Sequence, residues 1–254
     1  MSKADLKKQK KTIAFVASGK GGVGKTTTAV KLAEWHMNKG LKPVCLNADA
    51  FNTGLALDSY PALNAQRLVL VDNGEIVKEG FHEMLEQFST GEGPYIVDIG
   101  SNTFRQVLSY SKELDLPTVL ADMGLNVEIH AIVAGGNLTA DCAESIAIMA
   151  AETPWPFVIV LNEHDGAATI NGVPYVETAQ FVSLAGADRI SGVVAIKKLT
   201  ELQRAVLEKT KDLRMTADEV RRSDLKVGER ITHEQWSKQF FAGYDRMHEE
   251  AVEA

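Results

Sequence analysis

An eight-residue segment near the start of the chain carries its strongest chemical signal. Gly19–Thr26 reads GKGGVGKT and matches the phosphate-binding pattern G-x-x-x-x-G-K-[ST] at every position. Its glycines let the backbone turn tightly and point N–H groups at phosphate oxygens, and the following helix adds the positive end of its dipole. Lys25 is placed to reach the β- and γ-phosphates, the Thr26 hydroxyl to ligate Mg²⁺, and Thr27 to contact the α-phosphate. The predicted nucleotide contacts in this segment are Gly19, Lys20, Gly21, Gly22, Val23, Gly24, Lys25, Thr26 and Thr27.

A second lysine in this loop needs its own explanation, because Lys25 already serves the phosphates. The heptapeptide KGGVGKT resembles the signature K-G-G-x-x-K-[ST] of the ParA/MinD family of deviant Walker A ATPases. The resemblance implies ATP as the nucleotide and a homodimer in the ATP-bound state. In that family the extra lysine, here Lys20, crosses the dimer interface to the partner's nucleotide. Lys20 and Lys25 are therefore expected catalytic residues, and Asp49, which is described next, is the third.

Two aspartates end short apolar runs that are expected to be neighbouring strands. Asp49 in PVCLNAD matches the family's switch aspartate, the second acid of a D-x-D pattern whose first position here is Asn47. Its implied role is to orient the attacking water and sense the γ-phosphate. Asp98 in YIVDIG resembles the Walker B position, where a carboxylate holds Mg²⁺ through a coordinated water. The next residues depart from the family's T-P-like pair, which leaves Gly100 as a hinge or a γ-phosphate-sensing N–H.

A third strand end predicts the contact to the base. Asn162 closes FVIVLN, and the family often reads its base with an asparagine there. The tetrad NEHD also resembles the N-K-x-D guanine motif, with Glu163 in the lysine position and Asp165 in the aspartate position. The family resemblance favours ATP, and GTP stays open. Asp122, near the end of the predicted strand TVLADM, is interpreted as structural.

These residues require a fold that brings several strand ends together. Short, continuous apolar runs alternate with amphipathic segments, a pattern typical of buried parallel strands covered by helices. We therefore predict an α/β fold with a doubly wound, mostly parallel sheet, the P-loop NTPase architecture. The predicted strands are Thr12–Ser18, Pro43–Asp49, Tyr95–Gly100, Thr118–Met123, Ile129–Gly135, Phe157–Asn162 and Arg189–Ile196, with Leu68–Asp72 as an additional or edge strand. The predicted helices are Lys25–Asn38, Gly80–Phe88, Phe104–Leu114, Asp141–Ala151, Thr178–Gly186, Lys198–Lys211, Thr216–Ser223 and Thr232–Glu250.

The chain is expected to form one domain with a short tail. Residues 1–11 form a basic flexible tail, residues 12–254 a single P-loop ATPase domain, and residues 212–254 its helical C-terminal extension. The tail carries a net charge of +4, so the remainder carries −11 of the chain's total of −7. An acidic body repels polyanions, so any nucleic-acid contact must be local. Residues 197–226 hold nine Lys or Arg against six acids, a pattern more typical of a solvated helix face than of a DNA site.

Composition excludes several classes of protein. The 254 residues are 45% hydrophobic and 24% charged, which is typical of a globular protein with a genuine core. Two cysteines cannot form a disulfide framework, and no apolar run approaches 18 residues, so a soluble, cytoplasmic protein is expected. Trp236, Phe240 and Tyr244 follow helical spacing without a dense basic flank. This favours packing onto the core or a partner over a membrane anchor.

The expected function is an ATPase switch. ATP would assemble a dimer, and slow, partner-stimulated hydrolysis would dissolve it, so that each state positions or delivers a cargo. The segments HAIVAGG and PFVIVLNEHDG are similar to those of TraL- and StbB-like proteins of plasmid conjugation and mobilisation, which implies a role in plasmid partition or conjugative transfer. DNA and a partition or conjugation adaptor protein are the candidate partners. Two alternatives stay open: a nucleotide-dependent binding module with negligible turnover, and a small-molecule kinase or ligase of the same superfamily.

Overall fold

The computed structural model describes residues 11–49, 56–101 and 103–253. Within these ranges the longer strands of the sheet are separated by helices, as the apolar pattern predicts. The strands are β1 Thr12–Ala17, β2 Val44–Ala48, β3 Gln66–Arg67, β4 Val71–Asp72, β5 Glu75–Ile76, β6 Tyr95–Ile99, β7 Asn126–Ala134, β8 Phe157–Asn162, β9 Thr169–Ile170, β10 Val173–Pro174 and β11 Ile190–Ile196. The helices are α1 Lys25–Asn38, α2 Lys78–Thr90, α3 Phe104–Glu113, α4 Leu116–Asp122, α5 Thr139–Glu152, α6 Ala179–Gly186, α7 Glu201–Asp212, α8 Ala217–Arg222 and α9 Val227–Glu253.

Seven parallel strands form the central sheet, in the order β11-β8-β7-β1-β6-β2-β3. The inner strands are mostly apolar on both sides because helices cover both faces of the sheet. Ile13, Val97, Ile132 and Val158, for example, are all buried. The chain enters the sheet at its centre with β1 and then extends it on either side. The predicted fold class, an α/β fold with a doubly wound parallel sheet flanked by helices, is confirmed.

One predicted strand is wrong. Thr118–Met123 is not a strand, since Leu116–Asp122 forms helix α4. Pro117 occupies the first turn of this helix, where its fixed φ is favourable, and the buried residues Leu116 and Leu120 are spaced by one helical turn. The β-branched pair Thr118 and Val119 imitates a strand over a window too short to show the helical period. Asp122 is therefore an exposed residue at the end of a helix, and not at the edge of the sheet.

The region around Leu68–Asp72 also differs from the expectation. The strand that extends the sheet beyond β2 is Gln66–Arg67, in register with Leu46 and Asn47. Val71–Asp72 instead pairs antiparallel with Glu75–Ile76 in a separate hairpin. Leu68 and Leu70 are fully buried whereas Val69 is 43% exposed, so the alternating pattern is real although the segment is no continuous strand.

The C-terminal helices pack onto the helix that follows the phosphate loop. Helix α9 begins at Val227, before the predicted start at Thr232. Its residues Trp236, Phe240 and Tyr244 are buried, and the Tyr244 hydroxyl lies 3.0 Å from His130 Nδ1 on β7. The prediction that these aromatic residues pack onto the core is confirmed.

A buried ion pair joins α1 to the same C-terminal helices. Lys31 Nζ lies 2.7 Å from Glu34 Oε2, and both side chains are almost fully buried. Lys31 also donates to Ser237 Oγ on α9, and Glu34 Oε1 accepts from the Ala217 N–H at the start of α8. The charges are thus tied to both neighbouring helices, as buried charges require.

Two further observations concern membrane-spanning helices and the N-terminal tail. No helix within the described ranges has both the length and the apolar character needed to cross a bilayer. Apart from Lys11, the predicted basic tail lies outside the described residues.

Candidate nucleotide-binding and catalytic site

The phosphate loop links β1 to α1 at the carboxyl edge of the sheet, where open α/β sheets bind their ligands. Gly22 and Gly24 adopt φ values of +73° and +97°, which disfavour any residue with a Cβ. Gly24 is also the N-cap residue of α1. Val23, between the two glycines, is buried and anchors the loop in the core, while Gly21 and Gly22 are exposed.

Lys25 lies inside the loop. Its Nζ donates to the backbone carbonyl of Lys20 at 2.9 Å, so the side chain curls back across the loop. Burial lowers the pKa of Lys25, and the negative charges of Asp98 and Asp49 partly oppose that shift. The ammonium is thus held in the loop by backbone and by two nearby carboxylates.

Thr26 and Asp98 meet where a magnesium ion is expected. The Thr26 hydroxyl donates to Asp98 Oδ2 at 2.7 Å, and Asp98 Oδ1 is buried without a hydrogen-bond partner. Burial raises the pKa of Asp98 to about 6, although the Thr26 hydrogen bond and the Lys25 charge act in the opposite direction. An orphaned carboxylate oxygen beside a hydroxyl at the phosphate loop fits Mg²⁺, which binds few protein oxygens and keeps waters and phosphate oxygens as its other ligands. Accordingly, no three His, Cys, Asp or Glu side chains of the described ranges group into a metal site of their own.

Asp49 follows β2 directly and lies against the end of β6. A Cβ at Gly100 would overlap the Asp49 carboxylate, so the glycine is required for this close approach. The Asp49 N–H donates to the side-chain oxygen of Asn47 at 3.1 Å. Asn47 in turn is the register partner of Asp98. The two predicted aspartates therefore lie side by side at one edge of the sheet.

Lys20 points away from its own loop. Its Nζ forms an ion pair with Asp141 Oδ2 of α5 at 3.0 Å, and each side chain is 43% exposed. The pair borders a surface cavity of about 150 Å³ between α3 and α5. The two loop lysines thus differ: Lys25 is buried on the phosphate side, and Lys20 is on the surface.

Asn162 lies against the loop at the end of β8. Its Nδ2 donates to the Val23 carbonyl at 2.9 Å, and its Oδ1 accepts from the His164 N–H at 3.3 Å. A Cβ at Gly24 would lie 2.8 Å from Asn162 Nδ2, which adds a second constraint on that glycine. Asp165, the residue in the guanine-motif position, is 72% exposed. Recognition of the base by Asn162 stays a prediction.

The predicted site residues come together at one edge of the sheet. Sequence reasoning missed three further residues: Asp141, which pairs with Lys20, and Asp58 and Arg67, which connect to Asn47. No local motif predicts these contacts, because each residue is separated from its partner in the sequence and meets it only in the folded chain.

Comparisons with known proteins find a matching family, similar sequences and a similar fold. The family described as the CobQ/CobB/MinD/ParA nucleotide binding domain matches residues 14–225, which leaves α9 outside the match. Two proteins of Escherichia coli, each named Protein TraL, are 31% and 30% identical over 191 residues, which span 74% of this chain and 78% of each relative. A solved structure of the MinC:MinD cell division protein complex of Aquifex aeolicus shares the fold with a TM-score of 0.50 at 18% identity, covering 91% of this chain and 96% of that one.

Proposed function

Because the chain belongs to the CobQ/CobB/MinD/ParA nucleotide-binding family, we propose that it is a Mg²⁺-dependent ATPase that dimerises around ATP and is reset by slow hydrolysis. Each nucleotide state would bind a different partner, so that the protein positions or delivers a cargo in the cytoplasm. The TraL relatives support a role in plasmid partition or conjugative transfer. DNA or an adaptor protein of that system is the proposed partner.

The placement of the two loop lysines is the observation that carries this proposal. Lys25 already lies in the loop, whereas Lys20 is half-exposed and pairs with Asp141 outside it. A surface cation beside a phosphate loop is suited to reach the nucleotide of a second subunit. Such a cation completes the charge around the phosphates only in the dimer, as an arginine finger does in other phosphoryl-transfer enzymes.

The other site residues have separate proposed roles in hydrolysis. The backbone N–H groups of the loop and the Lys25 ammonium bind the phosphates, and Thr26 and Asp98 hold the metal, Asp98 through a coordinated water. When bound there, Mg²⁺ would supply positive charge that neutralises the charge developing on the phosphates during hydrolysis. Asp49 accepts a hydrogen bond from the water that attacks the γ-phosphorus. The bond from that phosphorus to the bridging oxygen then breaks, which releases ADP and phosphate.

A hydrolysis assay with lysine variants tests the proposal. We would measure ATP and GTP turnover at saturating Mg²⁺ for the wild type, Lys20→Ala, Lys25→Ala and Lys42→Ala. Lys42 is an exposed lysine between α1 and β2, away from the carboxyl edge, and serves as the matched control. We expect Lys25→Ala and Lys20→Ala each to lose roughly a hundredfold or more in kcat, the scale of lost transition-state charge stabilisation. Lys42→Ala keeps the wild-type rate.

The outcome separates the alternatives. A small-molecule kinase acting as a monomer would keep its activity in Lys20→Ala and lose it only in Lys25→Ala. A binding module would bind nucleotide tightly and show no turnover in any variant, even with partner DNA or protein added. Faster turnover of GTP than of ATP would contradict the assignment of the base.

A further inference from the structure

A hydrogen-bonded chain leads from the edge of the sheet to Asp49. Arg67 on β3 pairs with Asp58, Asp58 accepts from Asn47, and Asn47 accepts from the Asp49 N–H. We propose that Asp58 and Arg67 are positioning residues that hold Asp49 in place for hydrolysis. This inference rests on the proposed function, because it concerns the residue that orients the attacking water.

Asn47 is the central link of this chain. Its side chain is fully buried, and both ends of its amide are used. Oδ1 accepts from the Asp49 N–H at 3.1 Å, and Nδ2 donates to Asp58 Oδ1 at 2.6 Å. Only this orientation of the amide satisfies both partners, since an N–H needs an acceptor and a carboxylate needs a donor. Asp58 therefore determines which end of Asn47 faces Asp49.

Arg67 holds Asp58 in turn. Its Nε donates to Asp58 Oδ2 at 2.8 Å and its Nη2 donates to Asp58 Oδ1 at 3.2 Å, a two-point contact that fixes the plane of the carboxylate. The Arg67 hydrogen bond lowers the pKa of Asp58, and the Asn47 amide adds to the shift. Asp58 is thus an anion with two fixed donors. The two-residue strand β3 places Arg67 in register beside Asn47.

The residue types at positions 47 and 58 form a matched pair. An aspartate at position 47, as in the D-x-D pattern, would face the Asp58 carboxylate at hydrogen-bonding distance, where two anions repel each other. Asparagine at that position converts the repulsion into a donor–acceptor contact. The contact also joins the chain before residues 50–55 to the chain after them, so it restrains the backbone at the point where Asp49 faces Gly100.

Exchanging the two side chains tests this pairing. In the full chain we would measure kcat and KM for Mg²⁺-ATP in Asp58→Asn, Arg67→Ala, Asn47→Asp and the double variant Asn47→Asp/Asp58→Asn. Asp72→Asn, an exposed aspartate on the nearby hairpin, is the matched control. We expect the single variants to lose roughly ten- to hundredfold in kcat with KM changed by less than about threefold, because misplacement of a group by about 1 Å has that effect on the chemical step. The double variant regains part of the lost kcat, since it rebuilds the contact between positions 47 and 58 with its polarity reversed, while Arg67 keeps only its Nε contact to the remaining side-chain oxygen at position 58.

A second readout does not depend on turnover. Amide hydrogen exchange at Asp49 is expected to accelerate by about tenfold or more in Asp58→Asn and to return towards the wild-type rate in the double variant. If exchange responds in this way and the wild type hydrolyses no ATP, the positioning role of Asp58 and Arg67 is supported and the proposed ATPase activity is wrong. If the wild type hydrolyses ATP and the double variant is no better than its worse parent, or exchange at Asp49 is unchanged, the inference is overturned.

Discussion

Lys20 Nζ lies 3.0 Å from Asp141 Oδ2, so the signature lysine is paired within its own subunit. Both groups are half-exposed, and an exposed ion pair contributes at most about 1 kcal/mol. The pair is therefore weak enough to break when the lysine moves to a phosphate of a second subunit. Two such pairs break when the dimer forms, one in each subunit, so together they oppose dimerisation by at most about 2 kcal/mol.

Removing the acceptor of this pair is expected to favour the dimer. Asp141→Asn frees Lys20 in both subunits and lowers the monomer–dimer Kd with a non-hydrolysable ATP analogue by up to about thirtyfold, which corresponds to about 1 kcal/mol for each of the two pairs. Sedimentation velocity over a concentration series measures this constant. Glu144→Gln is the control, because Glu144 borders the same cavity one turn further along α5 and has no ion pair with Lys20 within 4.0 Å. Equal constants for the two variants would contradict a role for the pair.

Asp98 is expected to account for the effect of magnesium. In Asp98→Asn, Mg²⁺ adds no thermal stabilisation beyond that of ADP alone, whereas in the wild type Mg²⁺ and ADP together raise Tm further. Without Mg²⁺, Asp98→Asn is at least as stable as the wild type above pH 7. Burial raises the pKa of Asp98, so the ionised carboxylate destabilises the folded wild type at that pH. Thermal melts with ADP, with and without Mg²⁺, measure both effects. A magnesium-dependent shift that persists in Asp98→Asn would show that the metal is held elsewhere.

The placement of the site residues could be predicted from the sequence, whereas the long-range contacts that support them could not. The glycine-rich loop, Asp49 and Asp98 each belong to a local pattern, and parallel strands necessarily bring their carboxyl ends to one edge. Lys20 and Asp141 lie 121 positions apart in the sequence, and no periodicity connects them. The strand prediction at Thr118–Met123 is wrong because two β-branched residues outweighed the proline before them. The two-residue edge strand β3 is too short for any pattern to reveal.

The buried pair Lys31–Glu34 is expected to act as a unit. Glu34→Gln leaves the Lys31 ammonium buried without an anion and costs about 3 kcal/mol or more of unfolding free energy. The double variant Lys31→Met/Glu34→Gln loses less, because no uncompensated charge remains and the glutamine oxygen still accepts from the Ala217 N–H. Urea unfolding at pH 7.5 measures the free energies of the wild type, Glu34→Gln, Lys31→Met and the double variant. Losses that simply add in the double variant would show that the two charges are independent.

His233 makes the fold sensitive to acid. Burial lowers the pKa of His233 to about 3, and the neighbouring Lys31 charge adds to the shift. The unfolded chain takes up its proton near pH 6.5 and the folded chain does not, so stability is present above pH 6.5 and falls as the pH drops. The slope from this residue is about 1.4 kcal/mol per pH unit between pH 6 and 4.

Glutamine variants isolate that contribution. We expect His233→Gln to show a shallower loss of unfolding free energy between pH 6 and 4.5 than the wild type, by about 1.4 kcal/mol per pH unit. His82→Gln, which changes an exposed histidine on α2, is expected to keep the wild-type slope. Parallel slopes for all three proteins would mean that His233 is protonated in the folded state at these pH values.

The most direct test of the account is the size of the protein in each nucleotide state. Light scattering with Mg²⁺ and either ADP or a non-hydrolysable ATP analogue compares the wild type with Lys20→Ala, after nucleotide binding has been verified for both. We predict that the wild type is a monomer with ADP and a dimer with the ATP analogue, and that Lys20→Ala remains a monomer with either nucleotide. A wild type of the same size in both nucleotides, with binding confirmed, would contradict the ATP-dependent dimer.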